Sequence, residues 1–463
     1  MRRGRDGLRR LIIALALAAA VGLSLWGMVE DVHNTREYGG VDLRNRVVGA
    51  RLLGEGLDPY YFKWSEEYPD TLLDPMDNPD NAVSRITVPP TLLVLHLPLS
   101  GLPYATQRTL WLMGQWLLLL ASIYLFARCA PSRSVAALVW IAGLLLSATP
   151  FWRFHVERGQ VYALYAFLVA LSYWSCMRLQ ARRSAAFAGG LILGALAALR
   201  PTFIFMAVPL LVFGKWRICA GMACGLVVLV LICAPFTGIS TWRSYVRAMR
   251  QHEGDNIGVN QPIGSPYTDR VIEGMDNLGA YMQYPPVNTS VQWYFRYRFQ
   301  VDVMGGPLVL MMAAAVLLLA FITLPFRGRA ASMAAIYMMG SLTVLVSEYF
   351  LPAVKPSYVN ILWLLPVEFA VLEGRSIASL KRWKWMAASL VLSAGIYFNV
   401  AVFRYGGDAL LAESLVLAAF LWTALCLLQE SPGKASGRRA ASSEKQVLEA
   451  WQLFGDGLVE KLS

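Results

Sequence analysis

Apolar runs close to 20 residues long recur along nearly the whole chain, separated by short polar connections. A helix of that length crosses the hydrocarbon core of a bilayer. The short alternating strands of a membrane β-barrel are missing from these runs. The pattern predicts membrane helices at about 11–29, 108–127, 134–150, 161–178, 185–199, 202–214, 218–236, 305–324, 332–349, 357–373, 385–403 and 409–427, twelve in all. The expected fold class is an all-α polytopic membrane protein. The basic head and apolar run of Met1–Val29 have the outline of a signal peptide. The run is long enough to span, however, and no small-residue cleavage site follows it, so it is read as a retained first helix.

Charge sets the expected orientation. The N-terminal Arg2, Arg3, Arg5, Arg9 and Arg10 place that end in the cytoplasm by the positive-inside rule. One segment tests the count, because residues 88–103 are apolar but carry four prolines. If they crossed, the basic clusters at 178–183 and 215–217 would lie outside. If they form a juxtamembrane or re-entrant helix, those clusters lie inside together with Arg128, Arg133, Arg327, Arg329 and the 375–384 group. The second reading is adopted, with both termini cytoplasmic. The polar outer regions are then 30–107, 151–160 and 238–304. Residues 1–429 form one transmembrane domain, and 430–463 a cytoplasmic tail that turns amphipathic around Val447, Leu448, Trp451 and Phe454.

Composition adds two exclusions. Of 463 residues, 57% are hydrophobic and only 15% charged, unlike a soluble protein of this size. The net charge of +11 does not mark a nucleic-acid surface, since the basic excess lies on the cytoplasmic side, where 23 Lys/Arg face 7 Asp/Glu. It orients the chain and meets anionic lipid. The six cysteines fall in predicted helices or at their cytoplasmic ends, with no metal-ligand spacing, so buried unpaired thiols are expected. No cofactor is indicated. The inner loops hold no phosphate-binding glycine motif, which places the chemistry on the outer face.

Asp42 stands out there, a few residues beyond the first helix at the edge of the membrane. It either caps the helix that starts near Leu43 or acts as a base. Arg46, four residues on, can sit beside it and hold it ionised, or can be an ordinary interfacial arginine. Arg200, Lys355, Arg158, Arg296 and Arg298 are candidate partners for an anion; Arg200 and Lys355 adjoin prolines at membrane depth, and the bland reading of each is a structural ion pair. His155, Glu157 and Gln160 flank the second outer turn and can orient an acceptor or a base, while a divalent ion there has no ligand spacing to support it. Tyr60 and its aromatic neighbours can stack on sugars, against the reading of an interfacial belt. Glu55 and Asp58 lie among Gly54, Gly56 and Pro59 and read as turn residues rather than a hydrolase pair.

An ordered set of motifs extends over residues 30–370. Asp42 precedes Leu52-Leu53-Gly54-Glu55-Gly56-Leu57-Asp58-Pro59-Tyr60, followed by Pro89-Pro90, Pro98 and Trp111. Pro150, Gly159-Gln160, Arg200-Pro201, Asn288-Thr289-Ser290, Lys355-Pro356-Ser357-Tyr358 and Leu364-Leu365-Pro366 come after. The set resembles the GT-C superfamily of membrane glycosyltransferases, and most closely the polyprenyl-phosphate-mannose-dependent enzymes of glycosyltransferase family 87. The chain departs from that pattern in having Val88 before Pro89-Pro90, Arg200 for the usual lysine, and Lys355 with Tyr358 where an aromatic/His pair is usual.

The resemblance implies a GT-C fold, a lipid-phosphate sugar donor, an inverting transfer and an extracytoplasmic site in a bacterial plasma membrane. It implies Asp42 as the base, a cationic partner for the donor phosphate, and Asn288 and Tyr358 among the substrate-binding residues. The acceptor is then a glycolipid or polysaccharide. Two rivals remain at this level: a transporter or flippase for a lipid-linked saccharide, which needs internal repeats and a through-going polar path, and an O-antigen-ligase-like transferase built on its late outer loop.

Overall fold

A computed structural model describes residues 2–178, 184–256, 288–351, 355–403 and 408–429. The tail 430–463, the cluster 179–183 and, within the third polar region, 257–287 lie outside the described residues. Helices dominate; the one β-type contact among the described residues is an isolated bridge between Asn288 and Pro356.

The first helix, α1 (Arg2–Tyr38), runs nine residues beyond the expected end at 29. Part of its polar extension turns into the protein: Asp31 is buried and its Oδ2 accepts the indole N–H groups of Trp116 and Trp152 at 3.0 and 2.9 Å. Gly39 and Gly40 then adopt left-handed φ of 71° and 66°, which an L side chain rarely tolerates. They turn the chain within two residues into α2 (Val41–Gly54), so Asp42 lies in the first turn of a new helix. The Tyr104 hydroxyl sits between the Gly39 and Gly40 carbonyl oxygens and locks the corner.

The Pro-broken stretch forms a short helix, α3 (Pro90–His96), and a 3-10 turn, too short to cross a bilayer. Next come α4 (Tyr104–Cys129), α5 (Arg133–Ser147) and α6 (Pro150–Glu157). α5 and α6 meet at a bend of 60°, where Thr149 is extended ahead of Pro150 and its side chain caps Trp152 N–H. Then follow α7 (Tyr162–Arg178), α8 (Ser184–Leu199), α9 (Ala207–Val212) and the long α10 (Trp216–Asn256). The remainder comprises α11 (Val291–Phe299), α12 (Gly306–Thr323), α13 (Met333–Tyr349), α14 (Leu364–Leu372), α15 (Gly374–Ser379), α16 (Trp383–Phe403) and α17 (Asp408–Gln429).

Not all twelve expected spans have spanning length. Among the described residues five helices are long and apolar enough to cross, or six if α5 and α6 are one broken span. The segment Tyr162–Met177 is only about 24 Å long at 1.5 Å per residue, against a hydrocarbon core of about 30 Å. The expected helices at 202–214 and 357–373 begin instead as 3-10 turns, Pro201–Met206 and Ser357–Trp363. Sequence hydropathy does not separate these short helices from spans, because a helix buried in protein is as apolar as one in lipid. α13 shows this: all its residues from Ala334 to Tyr349 are buried, so it is a core helix packed all round by protein.

Close packing of α8 on α10 rests on small residues. A Cβ on Gly194 would fall 2.0 Å from the Met222 carbonyl oxygen, and one on Gly225 2.1 Å from that of Leu191. The two backbones touch there, as helices in lipid do when small residues recur every fourth position.

Candidate active site

Three elements converge on Asp42. α2 presents it, the α6–α7 junction faces it, and the loop between α2 and α3 covers it. The backbone N–H groups of Asp42 and Leu43, unpaired within a helical first turn, both donate to the Arg158 carbonyl oxygen at 3.1 and 3.2 Å. This contact needs Gly159, whose φ is +69° and whose added Cβ would lie 2.6 Å from Leu43 Cβ.

The carboxylate is saturated with donors. Oδ1 accepts from Arg85 Nη2 at 2.7 Å and Arg158 Nη2 at 3.2 Å. Oδ2 accepts from Arg158 Nε at 2.6 Å and from the Gln160 amide. Burial alone would push the Asp42 carboxyl up, but the charges of Arg158 and Arg85, with Arg46 behind them, outweigh it and hold it at about 2. Asp42 is not a solvated helix cap: the N-cap is Gly40, which has no capping side chain.

The loop is tied down by residues of α2 and by one lysine. Arg44 donates to the carbonyls of Leu73 and Asp70, Asn45 to Asp74, and Arg51 to those of Ser100, Thr71 and Leu102. Lys63 gathers Asp77, the Asn78 carbonyl and the Val83 carbonyl. Asp77 in turn accepts the Arg85 backbone N–H at 3.1 Å. Arg85 is thereby aimed at Asp42, with its Nη1 also 3.5 Å from Asp74.

The structure gathers some of the expected residues and disperses others. Asp42, Arg158, Gln160 and Tyr358 meet: the Arg158 guanidinium lies 5.5 Å from the Tyr358 ring and 5.2 Å from that of Phe154. Arg46 is close, but its hydrogen bond goes to the Gly159 carbonyl rather than to Asp42, and its guanidinium lies 6.0 Å from the Trp111 ring. Trp111 in turn donates to the Gln160 carbonyl. Arg200 borders the cluster, 5.8 Å from the Tyr162 ring, and Tyr162 is 5.8 Å from Tyr358. Its Nε and Nη2 are engaged by Glu348, which also accepts from Thr202.

Among the described residues, the other expected residues make no hydrogen bond or ion pair with Asp42. His155 is fully buried, accepts the Ala163 N–H at Nε2 and stacks on Trp152, so it braces the α6–α7 turn. Glu157 makes no ion pair or hydrogen bond among the described residues. Tyr60 is 0% exposed and offers no face to a sugar; it donates to the Val88 carbonyl and packs on Tyr245. Asn288 accepts the N–H groups of Ser290 and Lys355 and holds two chain segments together. Lys355 is buried against Glu413 at 2.6 Å and Thr289. Arg296 pairs with Asp302 and Arg298 is exposed; neither contacts the Asp42 cluster among the described residues.

Three residues escaped the sequence reading. Arg85 carried a signal, being the only arginine in the otherwise acidic stretch 52–107. Glu348 and Glu413 carried another, since each is an acid in an apolar helix and requires a cation nearby. Among the described residues no group of three or more His, Cys, Asp or Glu is placed to hold a metal ion. Among the described residues no disulfide joins two cysteines.

Comparison with known proteins agrees with this architecture. No curated protein and no solved structure matches the chain. A family model described as glycosyltransferase family 87 matches residues 87–347. The match takes in Arg158, Gln160, Tyr162 and Arg200, but ends short of Lys355 and starts after Asp42 and Arg85. It covers more than half of a helical membrane protein, and the chain belongs to glycosyltransferase family 87.

Proposed function

We propose that the protein is an inverting transferase that moves a sugar, mannose by preference, from a polyprenyl-phosphate donor to a glycolipid or polysaccharide acceptor on the outer face of a bacterial plasma membrane, with both termini inside. The observation that carries this reading is one ionised carboxylate held by two arginines at the mouth of a helical membrane body. One base and a cationic leaving-group site are the two requirements of a one-step displacement at an anomeric carbon.

In this mechanism the acceptor hydroxyl gives its proton to Asp42 while its oxygen bonds to the anomeric carbon. The bond from that carbon to the phosphate oxygen breaks, and polyprenyl phosphate leaves with the electron pair. Arg158 and Arg85 meet its charge, with Arg200 as a third cation at the edge. Each oxygen of Asp42 already accepts two N–H donors, so a bond must pass from the carboxylate to the donor phosphate before Asp42 can face the acceptor. That exchange removes positive charge from Asp42 and raises its proton affinity as the hydroxyl becomes acidic. Donor binding therefore precedes base action. Lys355, sealed against Glu413, takes no part in this scheme.

The test is release of polyprenyl phosphate by the purified protein from a panel of polyprenyl-phosphate sugars. Turnover of Asp42→Asn within about threefold of wild type would remove Asp42 from the scheme, since loss of a general base costs about 10²–10⁴. Saccharide movement across vesicles without covalent change would remove the scheme itself.

A further inference from the structure

α10 is too long for one crossing. Its candidate membrane segment Trp216–Glu253 has 38 residues, about 57 Å of helix against a hydrocarbon core of about 30 Å. The break lies at Gly238, with φ 57° and ψ 167°, just past Pro235. The helix that follows has two distinct faces. Tyr245 and Ala248 pack inward on Tyr60, Leu53, Val83 and Leu93, and the Tyr61 hydroxyl donates to Gln251 at 2.7 Å.

The outward face is basic on one side and apolar on the other. Arg243, Arg247 and Arg250 are exposed at i, i+4 and i+7, one stripe of a helix. No ion pair joins any of the three to an acid among the described residues. Like charges at this spacing repel, and among the described residues the stripe has no counter-charge of the kind that the Asp42, Arg200 and Lys355 clusters have. Ile239 and Val246 flank it, 73% and 49% exposed, with Trp242 half-buried beside them. A groove of about 540 Å³ runs along these six side chains.

We propose that this helix is a docking surface for the headgroups of anionic phospholipids, whose phosphates meet the three arginines while Ile239, Trp242 and Val246 enter the acyl boundary. The choice of occupant follows from the pairing of charge with apolar surface. A free phosphate or a soluble acidic ligand leaves the apolar side in water, whereas a lipid covers both. The helix also emerges directly from a membrane span, at the depth where headgroups lie. Through Tyr245 and Ala248 it shares a core with Val83 and Ile86, on either side of Arg85, so the lipid-bound surface and the Asp42 cluster are two sides of one wall. The inference stands on this helix alone, whichever sugar is transferred.

The test is native mass spectrometry of the full chain released from micelles doped equally with phosphatidylglycerol and phosphatidylcholine. Wild type retains the anionic lipid with a preference of roughly tenfold or more. The Arg243→Gln/Arg247→Gln/Arg250→Gln variant loses most of that preference, and the corresponding triple lysine variant keeps it, with both variants checked for unchanged thermal unfolding. A glutamine variant that still prefers phosphatidylglycerol as wild type does overturns the proposal, as does a wild type with no preference. A third arm doped with polyprenyl phosphate decides the source. Retention of that lipid far above phosphatidylglycerol, lost in the glutamine variant, overturns the proposal by reassigning the surface to the donor.

Discussion

The Asp42 cluster and the Lys355–Glu413 pair are built from the same chemistry, a carboxylate against a cation, and their surroundings make them opposites. Side-chain exposure is 14% for Asp42, 13% for Arg158 and 26% for Arg85, but 2% for Lys355 and 0% for Glu413. A fully buried pair cannot release its partner without leaving an uncompensated charge in a low dielectric, which costs about 3–5 kcal/mol. A half-buried carboxylate shared by two arginines can exchange one of them for an incoming phosphate at far lower cost. The first arrangement holds helices together; the second is suited to a reaction. Arg200 and Glu348 lie between these extremes, with a buried acid at 1% exposure and an arginine at 26%.

This contrast can be broken at several points. Asp42→Asn is expected to lower turnover by about 10²–10⁴, with a loss of stability limited to its ion pairs with Arg158 and Arg85; turnover within about threefold of wild type would move Asp42 to the structural class. Lys355→Met should do the reverse, destabilising the fold by about 3–5 kcal/mol, with much of the loss recovered in Lys355→Met/Glu413→Leu. Unfolding in detergent reads both, and a single variant as stable as wild type would show that the pair is not the clasp its burial suggests. Gly159→Ala should displace α2 from Arg158, because the added Cβ lies 2.6 Å from Leu43 Cβ at a left-handed φ. A displacement near 1 Å at the reacting groups costs about 10²-fold in turnover.

The smallest effect is also the sharpest. Asp42 has a folded pKa of about 2, below its unfolded value, so its contribution to stability is present above about pH 4 and is lost as pH falls toward 2. The kcat/KM of wild type, which reports the free enzyme, should therefore show no acidic limb from Asp42 between about pH 5 and 8. Arg85→Gln removes one of the charges that depress it, so any acidic limb must move to higher pH. An unchanged profile would mean that Arg158 alone sets the carboxylate.

Parts of the site were legible in the sequence because they sit close to chain punctuation. Asp42 stood just beyond the first apolar run and Gly159-Gln160 stood in the motif order, whereas the Gly39-Gly40 corner that starts a new helix at Val41 appeared only in the structure. Tyr358 followed from its place after Lys355-Pro356 in a motif, although Lys355 itself went elsewhere. Tyr60 looked like an interfacial aromatic and proved to be a buried brace, since residue type does not specify burial. The twelve expected spans became a mixture of crossings and short core helices for a related reason: apolar composition reports that a segment avoids water, and lipid and protein interior both satisfy that requirement.

What the sequence determined by itself was the helical membrane class, the family resemblance, and the placement of one carboxylate just beyond the first helix. These depend on run length, local turn chemistry and motif order, all of which act between near neighbours in the chain. The pairings were decided only by the tertiary structure. Arg158 and Asp42 are 116 residues apart, Arg200 and Glu348 are 148 apart, and Lys355 and Glu413 are 58 apart. Coulomb attraction acts on distance in space, and only the packing of the helices determines which charges come within 3 Å of one another.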